Sequence, residues 1–127
     1  MKKSDRQKVF DKYDGKCAYC GCELVKGWHV DELEPLVRNF TYNRDKGKYV
    51  HDGTCRHPER LHINNQNPAC ASCNIMKSSE SLEAFRNKIS AFVNSLNQYH
   101  TQYKFAKRYG LVVETVKPVV FYFETLI

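Results

Sequence analysis

The chain has 127 residues, of which 20 are Lys or Arg and 14 are Asp or Glu, so its net charge at neutral pH is +6. This length suits one domain, and a domain this small often needs disulfides or a metal ion beside its modest core. The charge favours a polyanionic partner, although a solvated basic surface explains it equally well. The amino terminus lacks the apolar segment of a secretory signal, and no apolar run approaches the roughly 20 residues of a membrane span. We therefore expect a cytoplasmic protein with reduced thiols.

The first half of the chain predicts one helix and one pair of strands. Ser4-Asp5-Arg6-Gln7 has the pattern of a capping box, and the apolar residues that follow predict a helix over residues 4–13 that ends near Gly15. Leu24-Val25 and the segment 28–31 predict a short strand pair that turns at Lys26-Gly27. Residues 38–62 are polar and show no sustained periodicity, so they predict a long loop.

The second half is dominated by helical signals. An apolar stripe at helical spacing is formed by Leu82, Phe85, Ile89, Phe92 and Leu96. A shorter helix is expected from about Gln98 to Tyr109, with Gly110 as its end. Val119–Phe123 has the composition of a terminal strand.

Two Cys-x-x-Cys pairs, Cys17 with Cys20 and Cys70 with Cys73, predict a zinc site. Two intervening residues let each turn present both thiolates to one tetrahedral ion. A redox or disulfide-forming pair is the rival interpretation, but two matched pairs in a reduced compartment favour structural Zn²⁺. The remaining cysteines, Cys22 and Cys55, are interpreted as plain thiols.

The residues around these pairs resemble the HNH endonucleases, in particular the zinc-stapled members from phages. The matching segments are His29-Val30-Asp31-Glu32-Leu33-Glu34-Pro35 and the run from Asn65-Gln66-Asn67-Pro68 through Cys70-Ala71-Ser72-Cys73-Asn74 to Lys77. The resemblance covers about residues 5–90. It implies a single α+β domain over residues 1–127, with a zinc-bound ββα-metal core at about 14–90. An N-terminal helix and a C-terminal helical extension at about 91–127 complete this expected fold.

The resemblance also implies a catalytic Mg²⁺ or Mn²⁺ ion. Asp31 matches the family's carboxylate ligand and Asn74 its amide ligand, while Asn65 matches the Asn that holds the loop and orients the base. The donor types agree, because hard divalent ions prefer oxygen ligands.

Glu32 stands where the family carries its base histidine. A carboxylate can take a proton from water, yet it is a weaker base than imidazole at neutral pH. Glu32 can instead serve as a second carboxylate ligand, with His29 or the loop residues His57 and His62 as the base, or it can mark an inactive site. A structural alternative makes His29 a packed strand residue beside Trp28.

The resemblance implies hydrolysis of DNA phosphodiester bonds, by nicking or double-strand cutting, in a phage or prophage within a bacterial cell. Lys77, Arg38 and Arg56 are the candidate DNA contacts. Double-strand cutting by a one-site domain would need a homodimer, and phage packaging or recombination proteins are further candidate partners. The alternative function is a zinc-containing DNA-binding protein that has lost catalysis.

Overall fold

The structure is a computed structural model, and it describes residues 1–126. Two compact units are present: an amino-terminal unit of Met1–Leu82 with the chain from Phe121 onward, and a helical unit of Glu83–Val120. Small sheets and helices together confirm the α+β class, while a single domain with a core at 14–90 stays a prediction. No helix within residues 1–126 is long and apolar enough to cross a membrane.

The first helix, α1, spans Lys3–Asp11, close to the predicted range of 4–13. The prediction of a capping box at Ser4–Gln7 is wrong, because the helix begins before Ser4 and the side chain of its N-cap residue, Lys2, makes no capping hydrogen bond. Val9 is the buried residue of this helix. Gly15 follows with a φ of +77°, and a Cβ there would lie 2.9 Å from the Phe10 ring, so only glycine fits this turn.

Strand β1 spans His29–Glu32 and pairs antiparallel with the distant strand that we number β4, Gln66–Ala69. The register places His29 opposite Ala69 and Asp31 opposite Asn67. The predicted pairing of β1 with Leu24-Val25 is therefore wrong. Val25 is 73% exposed, whereas three of the four residues of β4 are buried, so β1 lies beside an interior strand and not beside Leu24-Val25. Helix α2, Ala71–Lys77, follows directly after β4.

Strands β2, Arg38–Asn43, and β3, Lys48–Cys55, form an antiparallel hairpin. The long loop predicted for residues 38–62 is therefore wrong over most of its length. Its signal was weak because both faces of the hairpin are largely exposed, which removes the alternation of apolar and polar residues that marks a half-buried strand. Two short 3-10 helices, Pro58–Arg60 and Ile63–Asn65, lead from β3 to β4.

The helical unit contains α3, Leu82–Ser90 (whose first residue belongs to the amino-terminal unit), α4, Phe92–Tyr99, and α5, Thr101–Arg108. The apolar stripe is helical as predicted, but Ala91 divides it into two helices. Gly110, with a φ of +74°, follows α5 as expected. Glu114 accepts hydrogen bonds from Tyr103, Asn97 and Lys107, and these donors lower its pKa to about 2.

The predicted terminal strand at Val119–Phe123 is wrong. A 3-10 helix spans Tyr122–Thr125, and the amides of Tyr122 and Phe123 donate to the carbonyls of Tyr19 and Ala18. Phe121 is buried and packs edge-on against the Tyr19 ring, with centroids 5.4 Å apart. The backbone groups of this segment therefore bond to the first Cys-x-x-Cys turn instead of a neighbouring strand.

Candidate metal centre and adjoining cavity

The four paired cysteines form one cluster. The sulfur atoms of Cys17, Cys20, Cys70 and Cys73 all lie within 4.8 Å of one another, and those of Cys20 and Cys70 are 3.8 Å apart. Zinc–sulfur bonds of about 2.3 Å place the corners of a tetrahedron roughly 3.8 Å apart. The cluster could therefore hold one metal ion such as zinc, as the spacing of the cysteines predicts.

Both Cys-x-x-Cys turns are joined to β4, the first by a backbone hydrogen bond and the second by the chain itself. The amide of Ala18 donates to the carbonyl of Pro68 at 2.8 Å, which fastens the first turn to that strand. The second turn begins at the end of β4, where the Cys70 sulfur accepts from the amide of Cys73 at 3.4 Å and caps α2. The two pairs, 50 residues apart in sequence, meet because β4 contacts both.

The thiols of the cluster affect one another's pKa. A hydrogen bond with Cys73 lowers the pKa of Cys17 to about 4 and raises the pKa of Cys73. Such a group of sulfurs cannot carry several negative charges without a cation, because like charges at this distance repel. Neither Cys22 nor Cys55 belongs to the cluster.

Beside β1 lies an open cavity of about 700 Å³ that collects most of the predicted catalytic residues. Asp31, Glu32 and His29 line it from β1, and Asn74 lines it from α2. The hairpin contributes Arg38 and Phe40 to its wall. Residues separated by more than 40 positions are thus brought to one cavity, next to helix α2, which also carries Cys73 of the cluster.

Asp31 is 4% exposed, and its Oδ2 atom accepts hydrogen bonds from two buried side chains. One donor is the hydroxyl of Tyr19, and the other is the ammonium of Lys77 at 3.1 Å. Burial raises the pKa of Asp31, and both donors oppose that rise. The carboxylate is therefore held in a fixed orientation at the edge of the cavity.

Lys77 is 1% exposed, which does not fit the predicted contact with a DNA phosphate. Besides Asp31, its ammonium donates to the carbonyls of Glu32 and Glu80, each at 2.8 Å. These three bonds satisfy all the donors of a lysine. The side chain therefore braces the site from inside, a role that the sequence prediction missed. No local pattern in the sequence signals this role, because the acceptors of Lys77 come from β1 and from Glu80.

Glu32 is half-buried, with Arg38 3.5 Å from its carboxylate. Burial raises the pKa of Glu32, and the Arg38 guanidinium opposes that rise. His29 is exposed and lines the cavity, so its interpretation as a packed residue is wrong. The two loop histidines bond locally instead: His57 pairs with Glu59 at 3.1 Å, and the His62 ring accepts from the amide of Asn64.

Asn65 contacts backbone rather than the cavity. Its side-chain oxygen accepts from the amide of Glu34 at 2.9 Å, and its side-chain nitrogen donates to the carbonyls of Glu34 and Arg60 at 3.0 Å. These bonds join the segment after β1 to the turn before β4, while the catalytic role that the resemblance implies for Asn65 stays a prediction. Arg56 is exposed and is not among the residues that line the cavity.

Comparisons with protein-family models, with curated proteins and with solved structures return no match to this chain.

Proposed function

We propose that the protein is a metal-dependent endonuclease that hydrolyses DNA phosphodiester bonds. The observation that carries the proposal is that His29, Asp31, Glu32 and Asn74 line one cavity beside the four-cysteine cluster. These are the positions at which the sequence resembles the HNH endonucleases. The net charge of +6 suits a polyanionic substrate.

Two kinds of ion fit two donor sets. Four thiolates suit Zn²⁺, which in this proposal is structural and holds β4 and α2 against the first Cys-x-x-Cys turn. The Asp31 carboxylate and the Asn74 amide oxygen are hard donors that suit Mg²⁺ or Mn²⁺. Such an ion supplies positive charge where negative charge develops on the phosphate and on the leaving oxygen.

Glu32 is the proposed base. It takes a proton from a water molecule whose oxygen then bonds to phosphorus, while the bond from phosphorus to the 3′ oxygen breaks and that oxygen takes a proton from solvent. Arg38, half-exposed at the cavity wall, is the proposed phosphate contact. His29 lines the same cavity and is the second candidate for the base.

A second function, DNA binding without catalysis, is favoured by one observation. The ammonium of Lys77 lies 3.1 Å from the carboxylate of Asp31, where it neutralises the charge that would attract a catalytic ion. Together with Glu32 at the usual position of histidine, this contact fits a site that has lost its metal.

A plasmid assay separates the two functions. We expect the zinc-loaded protein to relax supercoiled DNA when Mg²⁺ or Mn²⁺ is present. Asp31→Ala should abolish the reaction, Glu32→Gln should slow it strongly, and the exposed control Glu23→Gln should leave it unchanged. If the wild-type protein cleaves with neither ion while Glu32→His does cleave, the protein is the inactive DNA-binding form. Loss of activity in His29→Ala but not in Glu32→Gln would move the base to His29.

A further inference from the structure

The β2–β3 hairpin, residues 38–55, presents one aromatic face to solvent. Phe40 stands opposite His51, and Tyr42 stands opposite Tyr49. Directly paired residues of antiparallel strands share a face, and so do residues two apart in one strand, so these four rings lie together. The ring pairs touch, with centroids 5.7 Å apart for Phe40 and His51 and 5.3 Å apart for the two tyrosines.

These rings cover no core. Phe40 is 58% exposed, Tyr42 55% and Tyr49 70%. Large aromatic residues grouped on an exposed surface mark interaction sites, because burying them in a complex removes much apolar area from water.

The charge around the rings selects the partner. Residues 38–56 carry five basic side chains (Arg38, Arg44, Lys46, Lys48 and Arg56) against two acidic ones (Asp45 and Asp52). A group of rings within a segment of excess positive charge matches a strand whose bases can stack and whose phosphates are anionic, whereas an apolar protein surface would gain nothing from this excess of charge. Arg38 and Phe40 also line the candidate catalytic cavity, so the aromatic face is continuous with it.

We propose that the aromatic face of the hairpin binds unpaired bases of single-stranded DNA beside the cavity. A duplex hides the faces of its bases and offers only their edges in the grooves, so exposed rings match a strand whose bases are free to stack. The proposal rests on the proposed function for the substrate class. It adds that the preferred DNA is single-stranded, or contains a single-stranded stretch, next to the bond that is cut.

Binding is measured on the zinc-loaded full chain in magnesium-free buffer, so that cleavage plays no part. The probes are a fluorescent thymidine oligonucleotide of about 12 nucleotides, within the site sizes of single-strand binders, and a duplex of the same length. We expect the single strand to bind at least about 10-fold more tightly than the duplex. The double variant Tyr42→Ala/Tyr49→Ala should lose about 10-fold or more of single-strand affinity with an unchanged salt dependence. The matched control Tyr42→Phe/Tyr49→Phe keeps both rings and should retain the affinity.

Charge is separated from stacking by Lys46→Ala/Lys48→Ala. This variant should bind both the single strand and the duplex more weakly, and it should reduce the slope of log affinity against log salt concentration by about 1–2. Equal binding of strand and duplex by the wild type, or unchanged affinity in the alanine variant, would overturn the proposal. So would a protein dimer that dissociates in the alanine variant, because the rings would then pack against a second copy of the chain.

A measurement on the wild-type protein alone tests the proposal even if the variants fail to fold. A 2-aminopurine base in the single strand should lose fluorescence when the protein binds, because stacking on a ring quenches it. Unchanged or increased fluorescence at saturation would contradict stacking. Plasmid cleavage without this quenching would support the nuclease proposal and overturn the single-strand inference. Quenching without cleavage would support single-strand binding and overturn the nuclease proposal.

Discussion

The sheet of β1 and β4 and the hairpin of β2 and β3 both consist of two antiparallel strands, but the first is largely buried and the second is largely exposed to solvent. Asn67, Pro68 and Ala69 of β4 are buried, and β1 contributes the buried Asp31. No residue of β2 or β3 is buried. Two strands alone are marginally stable in water, so each pair needs another source of stability.

The buried sheet is held by contacts on every side. The first Cys-x-x-Cys turn bonds to Pro68, the second follows Ala69, and Lys77 bonds to both Asp31 and the backbone of β1. Beyond its own ladder, the hairpin is stabilised by its two ring pairs and, at its base, by the ion pair of Arg38 with Glu32. The buried sheet therefore holds the residues of the proposed chemistry in fixed positions, whereas the rings of the exposed hairpin remain accessible to a partner.

Disruption of the four-cysteine metal site should have the largest effect on stability, and this effect should fall on the buried sheet. Structural zinc sites contribute apparent free energies of about 10–16 kcal/mol, which equals or exceeds the total stability of about 5–15 kcal/mol of a typical protein. Cys70→Ser should therefore unfold the amino-terminal unit and abolish zinc binding, as measured by circular dichroism and metal analysis. The control is Cys55→Ser in β3, which lies outside the cluster and should retain one zinc per chain. Equal zinc content in both variants would contradict the assignment.

Removal of the buried cation at Lys77 should have the next largest effect. Lys77→Met leaves the buried carboxylate of Asp31 without its charged partner, and breaking such a pair costs about 3–5 kcal/mol of the free energy of unfolding. Denaturant titration of the zinc-loaded protein measures this loss. Asp31→Asn should cost much less in the Lys77→Met background than in the wild type, because its partner is already gone. Additive losses would show that the two side chains do not interact.

Asn65 provides a smaller test of how the segment after β1 is held. Asn65→Ala removes three hydrogen bonds to backbone groups of Glu34 and Arg60, and because these groups are partly solvated we expect a loss of about 1–2 kcal/mol in the free energy of unfolding. The exposed neighbour Asn64 is the matched control, and Asn64→Ala should change stability by less than about 0.5 kcal/mol. A similar loss in both variants would remove the bracing role.

Excision of the hairpin should have the smallest effect on stability. Replacing residues 40–53 by an Asn-Gly turn, which favours tight hairpins, shortens the β2–β3 hairpin to the residues at its base. Because no residue of β2 or β3 is buried, the shortened chain should keep one zinc and melt within about 5 °C of the wild type. Loss of zinc in this variant would mean that the two sheets are not independent.

Sequence reasoning succeeded where the signal is local. The Cys-x-x-Cys spacings indicated the cluster, and apolar periodicity located the helices around Phe85 and Leu96. It failed where a long-range contact decides the structure. The partner of β1 lies more than 30 residues away, and nothing in Leu24-Val25 excludes the nearer pairing that was predicted.

The burial of Lys77 was missed for a related reason. Lysine is rarely buried, so residue type alone predicts an exposed side chain at this position. Its burial depends on an acceptor set drawn from β1, α2 and the turn at Glu80, which meets only in the folded chain. The residues of the candidate site were named from the resemblance, but the network that orients them became visible only in three dimensions.

The most direct test of the proposed two-metal arrangement is anomalous X-ray diffraction from crystals grown with Zn²⁺ and Mn²⁺. Data collected at the absorption edges of the two metals distinguish them in the same crystal. We predict one zinc peak among the sulfurs of Cys17, Cys20, Cys70 and Cys73, and one manganese peak in the cavity within bonding distance of Asp31 and Asn74. A cavity without manganese, with Lys77 still bonded to Asp31, would contradict the nuclease proposal and favour the DNA-binding alternative.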